Sequence, residues 1–300
     1  MRMSTFQLNS MMMDGMQTAN SNYNTTVMQM QRQTKILTPS DDPIGSVQIM
    51  LLQRQQASTD QYSKNIKNLM NEYSQQEALM RNGNDILLRG KELVLGLGNG
   101  AMTQDDREAM ANELESIRDE LLSVANSQNP DGDYQFAGNK LKNKPYSAPD
   151  YDYQGDSARR TSSTAEGVTL PVNMTADTIF GSGNDTVFKA IDDLTAALRD
   201  PATTQDELEK QMQNANTHIA ATSTQLNSAW GGLGSQMQSL ERMEGAHEDN
   251  TLMNKKMIGD IQDLDVPEAV SRLKGYELAL TATQLSYSKI NDMSLFNYIK

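Results

Sequence analysis

LEKQMQNANTHIAATSTQLNSAWGGLGSQMQSLERMEGAHEDNTLMNKKMIGDIQDL, residues 208–264, decides the fold. Stepping four and three residues in alternation from Leu208 meets Met212, Ala215, Ile219, Thr222, Leu226, Ala229, Leu233, Gln236, Leu240 and Met243. The same step continues through His247, Asn250, Asn254, Met257, Ile261 and Leu264. Twelve of these seventeen residues are apolar in a chain that is 37% hydrophobic, so the pattern is not compositional. Sustained 3,4 spacing marks a helix whose apolar stripe packs along a seam. Helical throughout, the stretch would be roughly 85 Å long at the α-helical rise. Gly231-Gly232-Leu233-Gly234 is where it could break, since each Gly costs about 1 kcal/mol relative to Ala.

Shorter series point the same way. Tyr62, Ile66, Leu69, Tyr73, Gln76, Met80, Gly83, Leu87, Gly90 and Val94 form one, and Met110, Leu114, Ile117, Leu121 and Val124 another. Near the start, Phe6, Asn9, Met13, Met16, Asn20, Tyr23, Val27, Met30, Thr34 and Leu37 follow the alternation. Near the end, Leu273, Tyr276, Leu280, Tyr287 and Ile290 share one stripe, while Leu278, Ala282 and Leu285 lie on another side of the same helix. A helix that is apolar on two sides needs partners on two sides.

From Asn129 to Gly183 the helical period vanishes. Asn129-Pro130-Asp131-Gly132 is a turn signal, and Tyr134-Gln135-Phe136 and Val168-Thr169-Leu170-Pro171-Val172 read as short strands. The expected fold is therefore mainly α: an elongated antiparallel helical bundle or coiled coil made from both chain ends, with a small β-rich insert at the tip. Residues 1–42 with 266–300 form a terminal helical core, 43–129 with 184–265 a helical rod, and 130–183 an outer insert. On this reading the insert is separable from the helical packing.

Composition narrows the function. The net charge of −13 repels phosphate backbones, which disfavours nucleic-acid partners. Zero cysteines remove disulfides, thiolate nucleophiles and thiolate-held metals, and His218 and His247 are the only histidines. The first twenty residues lack the continuous apolar core of a secretory signal, and no stretch approaches the roughly 20 apolar residues of a membrane span. Charge is uneven. Residues 1–60 carry four basic and four acidic side chains and 266–300 four and three, whereas 201–265 carry four and ten. Neutral ends can crowd together, and an acidic middle stays solvated.

Seven motifs, in order, carry a family resemblance. They are Met1-Arg2-Met3-Ser4-Thr5, Thr38-Pro39-Ser40-Asp41-Asp42-Pro43, Tyr134-Gln135-Phe136-Ala137-Gly138, Tyr153-Gln154-Gly155-Asp156, Ile179-Phe180-Gly181, Asp263-Leu264-Asp265-Val266-Pro267-Glu268-Ala269, and Ser294-Leu295-Phe296-Asn297-Tyr298-Ile299-Lys300. Together they resemble the hook-associated proteins of the flagellin family, which form the hook–filament junction of the bacterial flagellum. Ordinary flagellin is the rival reading and shares the Ser-Asp-Asp turn and helical ends. The Met11–Met13 run lies outside the family pattern.

The resemblance implies a non-catalytic, secreted structural subunit that uses type III export without a cleaved signal peptide. Its implied partners are the preceding hook-associated protein, flagellin, copies of itself, and an export chaperone on the C-terminal region before secretion. The implied assembly interface lies on the terminal helices, at Phe6, Met13, Tyr23, Val27, Leu37, Leu273, Tyr276, Leu280, Tyr287 and Ile290. The turn at Ser40, Asp41, Asp42 and Pro43 is the other candidate. Pro43 biases Asp42 away from αR, so the first helix stops before it, and Ser40, Asp41 or Asp42 can cap the next helix.

Searches for catalytic or cofactor chemistry yield little. Asp150-Tyr151-Asp152-Tyr153-Gln154-Gly155 resembles half of a calcium loop, but the twelfth position is Thr161, where such a loop needs a bidentate Glu. Gly96-Leu97-Gly98-Asn99-Gly100 lacks dinucleotide-binding spacing. No catalytic residue, cofactor or metal is expected. The remote alternative is a metal-dependent hydrolase using the acidic residues of the insert.

Overall fold

The structure is a computed structural model that describes residues 5–98 and 102–292. Seven helices and two strands run in the order α1 (Thr5–Arg32), α2 (Pro43–Gly96), α3 (Gln104–Ala125), β1 (Thr161–Ala165), β2 (Val168–Pro171), α4 (Asp177–Phe180), α5 (Val187–Arg199), α6 (Gln205–Gln262) and α7 (Val266–Asp292) among the described residues. The chain is mainly α with a small antiparallel sheet, as the periodicity predicts. It divides into two compact units, residues 1–58 with 249–300, and residues 59–248.

The larger unit, 59–248, holds nearly all of the core. Ile66, Leu69, Tyr73, Met80, Leu87 and Val94 of α2 are buried, with Leu114, Ile117, Leu121 and Val124 of α3 and Leu208, Ala215, Ile219, Leu226, Leu233 and Leu240 of α6. These are the residues of the predicted seams. α2 and α6 run antiparallel: Lys67 pairs with Glu244 at 3.4 Å, and Asn227 Nδ2 donates to Asn84 at 3.4 Å. α3 returns along α2, with Arg89 on Glu113 at 2.6 Å. The glycine cluster does not break α6. A Cβ at Gly231, Gly232 or Gly234 would meet no atom within 4 Å, and Leu233 between them is fully buried. Burial of Leu233, worth about 1.5–3 kcal/mol, offsets most of the weak propensity of its neighbours.

α3 starts at a reciprocal cap. Thr103 Oγ1 accepts from Asp106 N at 3.2 Å, and Asp106 accepts from Thr103 N at 3.1 Å. Thr186 caps α5 by accepting from Lys189 N at 3.1 Å.

The 130–183 segment differs from its sequence reading in two ways. Tyr134-Gln135-Phe136 is not a strand; Tyr134 and Ala137 make only isolated bridges, to Gln128 and Thr175. The strand partner of Val168–Pro171 is instead Thr161–Ala165, joined through Glu166-Gly167 with Gly167 at φ 71°. Its small, polar TSSTA sequence gives no aromatic or β-branched run by which to recognise it. Nor is the segment separable from the helices. Phe136, Tyr146, Tyr151, Ile179 and Phe180 are buried in the same cluster as the helix seams. The ring of Phe188 of α5 lies 5.3–5.5 Å from those of Tyr146, Tyr151 and Phe180, stacked on Phe180 and tilted to the two tyrosines. Phe136, read as part of a strand, is a core residue held on a loop.

The hairpin is held by side chains of α2 and α6. Asn65 Nδ2 donates to Ser163 O at 2.8 Å, Gln76 Nε2 to Val172 O at 2.9 Å, and Tyr73 Oη to Pro171 O. His247 meets Thr164 O at 2.7 Å and stacks on Tyr62 with centroids 5.8 Å apart. Polar residues at seam positions 76 and 247 thus pair with the backbone carbonyls of Val172, just after β2, and of Thr164 in β1.

Candidate assembly interface

The smaller unit, 1–58 with 249–300, contains two breaks in helix, and they are zipped together. Lys35 N donates to Gln262 O at 2.8 Å, Leu264 N donates to Gln33 O at 3.2 Å, and Thr34 bridges Asp263. Gln33 leaves α1 at φ 55°, the left-handed exit common at helix ends. The side chain of Gln29 donates to Lys35 O at 2.8 Å.

The candidate turn follows. Asp41 Oδ2 accepts from Thr38 N at 2.8 Å and from Leu37 N at 2.9 Å, and its Oδ1 accepts from Thr38 Oγ1 at 3.0 Å. These bonds to Thr38 and Leu37 hold the Asp41 carboxyl below its usual pKa. Ser40 shares a hydrogen bond with Thr38 Oγ1 at 2.8 Å. Asp42 is the cap: its Oδ1 accepts from Gly45 N at 2.9 Å, and Pro43 is the first residue of α2. Gly45 leaves room for this cap. A Cβ would overlap the Asp42 carboxylate and stand 3.1 Å from Ile261 Cγ2 of α6. Asp265 caps α7 in the same manner, accepting from Glu268 N at 3.1 Å.

Beyond this junction α1 and α7 pack on each other. On α7 the covered side is Val270, Leu273, Tyr276, Leu280 and Tyr287, all half-buried. On α1 it is Met12, Met16, Ala19, Tyr23, Val27 and Met30, all half-buried, with Thr26 buried. Leu37 is half-buried in the turn. Met13 and Asn20 of the predicted series are exposed, and Met12 and Ala19 take their places. The covered seam keeps its seven-residue repeat but runs through Met12, Ala19 and Thr26, one residue before Met13, Asn20 and Val27, with Met16, Tyr23 and Met30 as its other row. Phe6 and Ile290 belong to α1 and α7, but their side chains lie outside the described residues, as do residues 1–4 and the 294–300 motif.

The other sides of these helices are apolar and open. Leu278 is 74% exposed and Leu285 61% on α7, and Ile44 is 74% and Leu252 70% on α2 and α6. Met11, Met13, Met28, Val47, Met50, Leu51, Met253 and Val266 are also exposed. Leu51, Leu52, Met257 and Ile261, with Gln48 and Asp260, line a shallow apolar depression. Among the described residues this unit buries only Ile49 and Ala269 as apolar core, and it exposes far more than it buries. Exposed apolar patches of this size are uncommon on self-contained soluble domains and mark interaction surfaces.

The remaining candidates lie in the larger unit. Asp156 accepts from Asn139 N at 2.7 Å and Ala158 N at 3.2 Å, so its carboxylate is engaged by its own loop. His218 stands 3.9 Å from Asp185. Asn99 and Gly100 of the glycine motif lie outside the described residues. No three His, Cys, Asp or Glu side chains meet as a metal-binding group among the described residues. One cluster escaped the sequence reading. Arg118, largely buried, donates to Tyr151 Oη at 2.9 Å and Asp192 Oδ1 at 2.5 Å, and Tyr151 donates to Asp192 Oδ2 at 2.7 Å. Its only sequence signal is a lone basic residue beside the α3 seam, which periodicity does not register.

A helical unit made from both chain ends, nearly coreless and open on its apolar sides, is the construction of an assembly subunit. The comparisons with known proteins agree. Residues 3–141 match the bacterial flagellin N-terminal helical region. Flagellar hook-associated protein 3 of Salmonella typhimurium is 26% identical over 99% of both chains, and that of Escherichia coli is 26% identical over the full length of both. A solved structure from Vibrio parahaemolyticus, described as a flagellar hook-associated protein, is 31% identical. It covers 74% of this chain and 100% of its own, with a TM-score of 0.70. A hook-associated protein 3 from Legionella pneumophila, 17% identical, shares the fold at a TM-score of 0.65 over 71% of this chain and 98% of its own. The chain belongs to the flagellar hook-associated protein family.

Proposed function

We propose that the chain is a non-catalytic structural subunit of the hook–filament junction, joining the preceding hook-associated protein to flagellin through its terminal helices. The observation that carries this reading is the imbalance in the 1–58/249–300 unit, which exposes Ile44, Leu51, Leu252, Leu278 and Leu285 and buries almost no apolar core of its own. Neighbouring subunits, including copies of this chain, cover those faces. Tyr23, Val27, Leu273, Tyr276, Leu280 and Tyr287 hold α1 and α7 together so that the faces are presented. An export chaperone covers the C-terminal region before secretion, and the protein then acts in the extracellular flagellum.

Deletion of the gene tests the proposal. Hooks without filaments, together with flagellin monomers in the medium, are expected, and the intact gene should restore filaments. Full-length filaments on the deletion strain would refute the junction role. A protein that dominates the sheared filament fraction would instead be a bulk filament subunit.

A further inference from the structure

The chain carries 20 methionines, and the two units use them differently. In the larger unit Met80 is buried, and Met70, Met102, Met110, Met174, Met212, Met237 and Met243 are half-buried against the core. In the smaller unit Met11, Met13 and Met28 of α1, Met50 of α2 and Met253 of α6 are exposed, from 45% to 61%. Every exposed methionine among the described residues thus lies in the unit whose apolar faces await a partner. A thioether is a good choice for such a face, because it is apolar, polarisable and adaptable. It is also the side chain of that kind which a two-electron oxidant converts to a polar one.

We infer that Met11, Met13, Met28, Met50 and Met253 form a reversible oxidation site that controls the assembly competence of the free subunit. With hydrogen peroxide the step balances. The thioether sulfur gains one oxygen and becomes a sulfoxide, the peroxide O–O bond breaks, and water leaves. Each sulfoxide puts a strongly polar S=O on a surface that must be desolvated on docking, where an unpaired polar group is costly. The larger unit has no exposed methionine, so its core is spared at the same oxidant dose. Assembly buries the five sulfurs, so the site acts before incorporation. This inference rests on the assembly reading above.

The test uses the full-length protein and hydrogen peroxide. Peptide mapping by mass spectrometry should find sulfoxide at the five positions at least about tenfold sooner than at Met80, with the Tm of the larger unit unchanged. Attachment to isolated hooks carrying the preceding hook-associated protein is then read for each sample against its own unoxidised control. Wild-type attachment should fall to background after peroxide and return after treatment with methionine sulfoxide reductases. A variant with Leu at all five positions should keep its own starting attachment through the same treatment. Equal oxidation of Met80, or oxidised wild type that attaches like its control, overturns the inference. Unoxidised wild type that fails to attach overturns the assembly reading instead, and the peptide map still reports whether the five sulfurs are the reactive ones. Should the five-Leu variant not attach at all, failure of the reductases to restore wild-type attachment refutes the control mechanism.

Discussion

Replacing Leu226 with Asp should unfold the larger unit at a much lower temperature. Leu226 is 2% exposed at the meeting of three helices. Its Cδ1 stands 3.2 Å from where a Cβ would sit on Gly83 of α2, and Val124 Cγ1 of α3 is 3.6 Å from the same point. Gly83 is what lets α6 lie so close, so the neighbours cannot collapse far into a vacated space. Truncation of a packed Leu costs about 2–5 kcal/mol, and a buried polar group without a partner adds about 1–3 kcal/mol. A combined loss of roughly 3–8 kcal/mol follows. In a unit of this size 1 kcal/mol moves Tm by about 2–4 °C, so a drop of at least about 6 °C is expected. Differential scanning calorimetry at neutral pH measures it. A Leu226→Asp protein that melts cooperatively within about a degree of wild type would refute both the three-helix contact and the seam built on it.

Arg118→Ala should cost roughly 2–4 kcal/mol by urea unfolding, because Asp192 and Tyr151 lose their partner in a largely buried cluster; paired replacement with Asp192→Leu should recover part of it. Burial raises the phenols of Tyr73 and Tyr151 from 10 to about 12. A raised acid pKa gives stability that is complete below pH 10 and lost as pH rises towards 12, so the buried tyrosines should ionise only as the larger unit unfolds in a spectrophotometric titration. Gly45→Ala should cost about 1–3 kcal/mol locally, seen as faster hydrogen exchange in the first turns of α2, with the Tm of residues 59–248 unchanged. Leu278→Glu with Leu285→Glu should change monomer stability by less than about 0.5 kcal/mol yet abolish attachment to hooks; attachment at wild-type level would remove that face from the interface.

The helices were legible because their registers are long and their burial one-sided. Ile66, Leu69, Tyr73, Met80, Leu87 and Val94 are all buried, and every position of the long series is covered except Asn250, for which the half-buried Thr251 substitutes. The turn was equally legible, since Pro43 limits which residue can cap, and Asp42 does so. What failed had no period to read. TSSTA is a strand only because Asn65, Tyr73, Gln76 and His247 hold the hairpin it belongs to. Tyr146 and Tyr151 are core residues only because Phe188, far along the chain, receives them. The miss at Met13 and Asn20 is one of register: the polar Thr26, which an apolar pattern passes over, is the buried member of the row that runs through Met12 and Ala19.

The two stretches of α6 show how one helix can serve both a self-sufficient unit and an incomplete one. From Leu208 to Leu240 its seam is Leu, Ala, Ile, Thr and Leu against a core filled from α2, α3 and the loop aromatics. From Thr251 onward the seam is Thr251, Asn254, Met257 and Ile261, with Asn254 buried and Gln56 Nε2 donating to Thr251 Oγ1 at 3.0 Å. Polar seam residues sacrifice stability but penalise the wrong register, because a slip would bury an amide against apolar side chains. The smaller unit therefore has its alignment specified by hydrogen bonds, by the Lys35–Gln262 zipper and by the Gly45–Ile261 approach, while little apolar burial holds it together. Such a unit is positioned before it is stable. On the junction reading proposed above, most of its apolar surface is available to a neighbour, so the burial that completes its fold would be the burial that drives assembly.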